Sequence, residues 1–288
     1  MQTRPAGNPF VDVLAKMSGP HLSPQEPLFM PTRTKRMPTR TKSGTSPVAA
    51  PKARPGRPTP WSMDEVLALT EPLYGPAERP RGYDGIAELV YTILSQHTSD
   101  TNSIRAYAAL REQLPSWDAI AGADVEAIAD AIKVGGLARV KAPRIRQVVR
   151  SVKSLTGGYD LSFLTDLPLE EAKAWLRQLP GVGPKTVGCV LMFALDMPAL
   201  PVDTHVYRVS KRLGLFDEKV TADQSHDVLE AALRPEQRLP FHMYFIQHGR
   251  QVCKAQRPLC EECVLEPQCP ASLLRATDRS GQAKRRKS

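Results

Sequence analysis

The chain has 288 residues, 41% of them hydrophobic, which is enough to build one large or two modest domains around a real core. Its longest apolar stretch, Val187 to Leu195 followed by Asp196, is about half of what a membrane-spanning helix needs, so no span is expected. The formal net charge of +9 is concentrated at the ends: residues 1–60 hold 10 Lys and Arg against 2 Asp and Glu, residues 275–288 hold 6 against 1, and the stretch between is acidic by 4. Any nucleic-acid contact by the folded part must therefore come from a local patch or from backbone amides, with the tails adding salt-sensitive attraction to phosphate.

In chain order, residues 1–60 are rich in Pro, Thr, Arg and Lys and carry a tandem repeat, Met30-Pro-Thr-Arg-Thr-Lys-Arg36 followed by Met37-Pro-Thr-Arg-Thr-Lys-Ser43. Such a segment cannot bury enough apolar surface to offset its chain entropy and is expected to be disordered. Its composition is also that of an organellar transit peptide, but the scattered prolines work against the amphipathic helix such peptides form. Order is expected from Trp61, where Ser62-x-x-Glu65 makes a capping box ahead of a short helix.

From Tyr83 onward the apolar period is helical, with Ala87, Val90, Tyr91 and Leu94 on one face. The next helix is capped by Ser99 or Asp100 and turns Ile104, Tyr107 and Ala108 inward; another starts at Asp124, runs through Ile132 and stops at Gly135-Gly136. A basic helix follows over about 139–155, then one over 169–179 with Ala172, Trp175, Leu176 and Leu179 inward. Further on, Thr221-x-x-Gln224 is a second capping box, and Phe241, Tyr244, Phe245 and His248 form an inward set. No window alternates as a strand does, and the predicted fold class is all-α.

Between the helices at 169–179 and 187–195 lies Leu179-Pro-Gly-Val-Gly-Pro-Lys-Thr186. Gly181 and Gly183 can take positive φ and let a phosphate approach the backbone around Val182, while Pro184 suits the first turn of a helix whose free N–H groups point outward. A sequence-blind clamp for a DNA phosphate results. Near the C-terminus Cys253, Cys260, Cys263 and Cys269 have the spacing C-x6-C-x2-C-x5-C. Four crowded thiols with no secretory signal read as metal binding in a reducing compartment, and four thiolates can hold either a zinc ion or a [4Fe-4S] cube. Cys189, inside an apolar helix, reads as a core residue.

The hairpin with Lys185, the string Val202-Asp-Thr-His-Val-Tyr-Arg208 and the cysteine spacing, in that order, resemble the endonuclease III family of the helix-hairpin-helix DNA glycosylase superfamily over roughly residues 61–272. The resemblance implies two helical lobes: a helical barrel at 83–197 containing the hairpin, and a cluster domain made of 61–82 and 198–272, flanked by the basic tails 1–60 and 273–288. It favours the [4Fe-4S] cluster over zinc, because zinc ribbons usually carry two close cysteine pairs. It makes Lys185 the nucleophile and Asp203 the catalytic carboxylate. Burial and the helix dipole are expected to lower the Lys185 pKa, and Asp203 doubles as an N-cap. His205 reads as a packed or capping histidine.

Family members flip the damaged nucleotide out of the duplex and fill the gap with wedges, which here correspond to Ser95-Gln96-His97-Thr98-Ser99-Asp100 and Gly136-Leu137-Ala138-Arg139. Where the common family form reads Leu-Ser-Ala-Gln-Ala-Thr-Asp, this chain reads Leu-Ser-Gln-His-Thr-Ser-Asp, so His97 stands at the gap-filling glutamine with Gln96 before it. The implied activity is base excision of oxidised pyrimidines with strand nicking by β-elimination, acting as a monomer on double-stranded DNA with damaged bases or abasic sites, without a membrane. A bacterial source would place it in the cytoplasm, on the nucleoid. Two alternatives are a monofunctional mismatch glycosylase and a catalytically weak DNA-binding iron–sulfur protein.

Overall fold

The computed structural model describes residues 61–79 and 83–274, which form a helical protein with no β-strand among the described residues. The readings of the N-terminal tail and of the basic C-terminal tail lie outside the described residues, apart from the short stretch 273–274. No helix among the described residues is long and apolar enough to cross a membrane.

Helix α1 (Met63–Tyr74) starts on the expected capping box, with Ser62 and Glu65 bonding each other's backbone and side chains. Helix α2 (Gly85–Ser95) is capped by Asp84 and buries Ala87, Val90 and Leu94 as its period requires. Helix α3 (Asp100–Gln113) takes Ser99 as its cap, but its buried face is Ser103, Ala106, Tyr107 and Leu110. Ile104 and Ala108 lie only at its edge, because the real stripe is centred on small residues that let α3 approach the chain at Gly135. A six-residue helix, α4 (Trp117–Gly122), has no counterpart in the sequence reading: it buries only Ile120, too little to make a period.

Helix α5 (Val125–Ala131) begins after Asp124, whose side chain makes no capping bond. A 3₁₀ turn (Lys133–Gly135) and Gly136, at φ +65°, then redirect the chain into the basic α6 (Ala138–Thr156), which ends on Gly157 at φ +75°. Helix α7 (Leu169–Arg177) buries Ala172 and Leu176 as expected. The apolar run that follows the hairpin is not one α-helix. Helix α8 (Pro184–Cys189) passes into a π turn (Val190–Ala194), where the Leu195 amide donates to the Val190 carbonyl at 3.2 Å. The wider turn keeps Val190, Leu191 and Met192 all buried. Helices α9 (Thr204–Leu213), α10 (Ala222–Ala232) and α11 (Pro235–Gln251) complete the protein, with the Thr221–Gln224 capping box in place and Phe241 stacked on Phe245.

The buried side chains form two apolar cores. One gathers residues of α2 to α8; the other gathers Trp61, Val66 and Met192 with residues from 200 to 265. Two charged links join them. Lys173 of α7 pairs with Glu230 of α10 away from water, while Glu230 also accepts the Leu200 amide at 2.7 Å; Arg250 of α11 pairs with Asp100 at the start of α3 at 2.8 Å. Lys173 also pairs with Glu170 at 2.7 Å and Glu230 with Arg238 at 3.8 Å. Truncating Lys173 or Glu230 therefore breaks a buried charge network without stripping the survivor of every partner, at a cost below the roughly 3–5 kcal/mol of an isolated buried pair.

Candidate active site and metal centre

The hairpin between α7 and α8 is built as its glycines require, with one difference. Gly181 takes φ +73°, whereas Gly183 is extended at φ −94° and serves as the N-cap of α8, with Pro184 in the first turn. A Cβ added at either glycine would meet nothing within 4 Å, so both border open space that a phosphate can enter. The Val182 side chain is buried in the first core.

Lys185 follows one residue into α8. Gly188, one turn on, packs so closely on the next segment that a Cβ there would lie 2.7 Å from backbone atoms of Pro201. Only glycine permits that approach, and through it the Pro201-Val202-Asp203 segment is drawn in beside α8. Asp203 caps α9: its Oδ1 accepts the His205 and Val206 amides, each at 2.8 Å. Sequence reasoning missed Gly188, and its signal was a lone small residue within the apolar run Val187–Leu195.

The electrostatics around Lys185 reverse one expectation. Burial pushes the ammonium down, but the Cys189 thiol to which it hydrogen-bonds and the Glu88 and Asp203 carboxyls facing it outweigh that, holding its pKa above the ordinary lysine value. Free Lys185 therefore rests as an ammonium. Cys189 is itself pushed up to about 11 by burial, so it is a neutral thiol. His242, buried on α11 and bonded through Nδ1 to the Pro201 carbonyl at 2.8 Å, is pushed down to about 4 by burial and is neutral. His205 is packed as expected, 3.1 Å from Arg208 Nη2, with its pKa lowered by burial.

The two segments expected to act as wedges come together. His97, exposed in the turn after α2, has φ +52°, and Leu137, 54% exposed ahead of α6, has φ +51°. Side chains larger than Gly or Asn seldom occupy this left-handed region, at roughly 1–2 kcal/mol each. Gln96 is half-buried beside His97. Thr98 Oγ1 donates to the Gly135 carbonyl at 2.5 Å, and the buried Lys141 Nζ donates to Leu94 O, Thr98 Oγ1 and Gly135 O at 2.7, 2.6 and 3.0 Å. The sequence reading passed over Lys141 because a lysine in a basic helix looks solvated.

Cys253, Cys260, Cys263 and Cys269 line one cavity together with Arg212 and His248. Among the described residues no three His, Cys, Asp or Glu side chains converge as a metal ion would require. A single zinc needs four sulfurs at about 2.3 Å from one point; a four-iron cube takes one thiolate per iron and has no such need. Hydrogen-bond donors aim at two of the sulfurs. Arg212 Nη1 is 3.3 Å from Cys253 Sγ, and His248 Nε2 is 3.4 Å from Cys263 Sγ. Tyr74 OH lies 2.8 Å from His248 Nδ1, so donation there leaves Nε2–H to point at the sulfur. Burial pushes the metal-free Cys263 thiol up to about 11. The donor set fits sulfurs that become thiolates on binding metal.

Comparison with known proteins agrees with this geometry. Residues 90–235 match the family model described as HhH-GPD superfamily base excision DNA repair protein. A candidate DNA glycosylase of Arabidopsis thaliana is 36% identical over 62% of this chain, which spans 59% of the plant protein's length. Endonuclease III of Thermotoga maritima is 37% identical over 65% of this chain and 83% of its own. Endonuclease III bound to DNA, solved both as a non-covalent complex and as a trapped covalent intermediate, superposes with a TM-score of 0.65 at 26% identity, covering 75% of this chain and 99% of that one. The chain thus belongs to the HhH-GPD superfamily of base excision DNA repair proteins, as an endonuclease III-like DNA glycosylase.

Proposed function

We propose that the protein excises oxidised pyrimidines from double-stranded DNA and nicks the resulting abasic site, using Lys185 as a covalent nucleophile. The observation that carries this reading is the placement of Lys185: in the first turn behind the phosphate-sized hairpin, against Asp203. The neutral amine attacks the sugar C1′, the base leaves, and the aminal opens to a Schiff base that permits β-elimination of the 3′ phosphate. Asp203 has one oxygen committed to its helix cap and the other free to face positive charge developing on the sugar. His97 and Leu137 fill the gap left by the flipped nucleotide, with Gln96 beside them and the amides of Gly181, Val182 and Gly183 on a phosphate. DNA lies between the barrel of residues 83–197 and the lobe formed by 61–82 and 198–272.

Cys253, Cys260, Cys263 and Cys269 would hold a [4Fe-4S] cluster. When bound, it supplies a structural brace for the loop, which packs on the second core. That a homologous endonuclease III has been captured as a covalent intermediate with DNA supports the same chemistry here. Borohydride should trap wild-type protein on a duplex carrying one oxidised pyrimidine, and Lys185→Ala should abolish trapping while keeping DNA affinity. Base release without trapping would replace this reading with a monofunctional one.

A further inference from the structure

The buried carboxyl of Glu88 has no part in the reaction as written above. It lies on α2, 7% exposed, in a helix whose other buried residues are apolar apart from Gly85 and Thr92. Among the described residues its side-chain hydrogen-bond partner is Thr92, whose Oγ1 donates to Oε1 at 3.1 Å. Helix α2 packs directly against α8, and the carboxyl faces Lys185. A carboxyl buried this far without an ion pair or full hydrogen bonding costs several kcal/mol unless it is neutral.

We propose that Glu88 is the proton acceptor for Lys185, the group that turns the resting ammonium into the amine that attacks C1′. This rests on Lys185 being the nucleophile. The step balances as follows. Glu88 and Lys185 make no direct hydrogen bond, so the proton crosses on one water: an Nζ–H bond of Lys185 breaks as the water takes that proton and gives one of its own to Glu88, forming an Oε–H bond. The freed lone pair makes the bond to C1′ while the electrons of the glycosidic bond leave with the base. The base anion is neutralised by the proton held on Glu88, which regenerates the carboxylate.

Asp203 is less suited to this part because one of its oxygens already takes two backbone amides. The ionisation behaviour of Glu88 is consistent with the role: burial pushes it up to about 7, against the opposing pull of Thr92 and Lys185. It can therefore lose and regain a proton near neutrality, as an efficient general base must. The other titratable groups facing it or Lys185 are Cys189 on α8, Asp203 ahead of α9, His242 on α11, and the tyrosines 83, 91 and 107. Burial pushes each of these tyrosines above the ordinary phenol value, the thiol up to about 11 and the histidine down to about 4, so the tyrosines, the thiol and the histidine keep their charge near pH 7.

The test is single-turnover base release and borohydride trapping between about pH 5.5 and 9.5 on a duplex with one thymine glycol, using wild type, Glu88→Gln and Thr92→Val. Wild type should show an acidic limb near pH 7. Glu88→Gln should lose at least about tenfold at pH 7, with the gap closing as the pH rises and solvent takes over deprotonation of Lys185. Thr92→Val removes the bond that favours the carboxylate, so it should move the acidic limb to higher pH while leaving α2 packed; this serves if the glutamine variant folds poorly. If wild type traps but both variants keep its profile, or fall by one constant factor at every pH, Glu88 is only structural and the proposal fails. If wild type releases base and never traps, the nucleophile reading fails and takes Glu88's role with it.

Discussion

Lys141 and Thr98 meet in the interior at 2.6 Å, tying the turn that displays His97 to the loop that displays Leu137. The same ammonium reaches the Leu94 and Gly135 carbonyls, one on each side of the junction. One buried cation thus ties together the two loops in which His97 and Leu137 stand exposed at positive φ. The ordering entropy of both loops is spent during folding.

Lys141→Met should separate these loops. Burial already pushes the Lys141 pKa below the ordinary value, yet its removal leaves acceptors without their donor, so the expected loss is roughly 1–3 kcal/mol in urea denaturation. Base release should fall while binding to undamaged duplex, set by the hairpin, holds. Unchanged stability with unchanged base release would show that the clasp does not position the wedges.

Leu137→Gly separates stability from function in the opposite way. Relief of the left-handed strain, worth about 1–2 kcal/mol, is offset by the greater freedom of glycine in the unfolded chain, so the melting temperature should stay level or rise slightly. Excision should drop by about tenfold or more, since flipping costs a few kcal/mol that the wedge helps to offset. Calorimetry beside an excision assay checks both halves.

Glu88 should also leave a mark on the pH dependence of folding. Its folded pKa, about 7, lies above the ordinary 4.5, so the contribution to stability is fully present below about pH 4.5 and is lost as the pH rises through 7. The shift corresponds to on the order of 3 kcal/mol. His242 and His248, both pushed down to about 4, act in the reverse sense over an overlapping range. The readout is therefore the difference between wild type and Glu88→Gln, which should grow in favour of the variant from pH 4.5 to 7. A difference independent of pH would mean that Glu88 does not titrate in that window.

Protein made with ample iron should be yellow-brown, and Cys260→Ser or Cys263→Ser should bleach it. Because Cys253, Cys263 and Cys269 pack on the second core, the bleached variants should also melt earlier, with loss concentrated in the helices around Phe241 and Phe245. Hydrogen exchange resolves that region. Stoichiometric zinc without iron would overturn the cluster reading.

The helical class was legible from the apolar period alone, and so were the caps at Ser62, Asp203 and Thr221, with Ser99 one of two candidates beside Asp100, because periodicity and capping act within one or two turns. The hairpin glycines, Lys185, Asp203 and the four cysteines stand out in the sequence because each belongs to a short string through which the chain resembles its family. Tertiary structure decided the rest. The Lys185 pKa goes up, opposite to the local expectation, because Cys189 lies one turn on in the same helix and because Glu88, 97 positions earlier, and Asp203 reach it through tertiary packing. Lys141 becomes a buried clasp because its partners come from a different helix end and a 3₁₀ turn. Gly188 matters for the backbone of Pro201, which no helical pattern around it can announce. Electrostatics and close approach depend on distance in space, and for these residues neighbours in space are not neighbours in sequence.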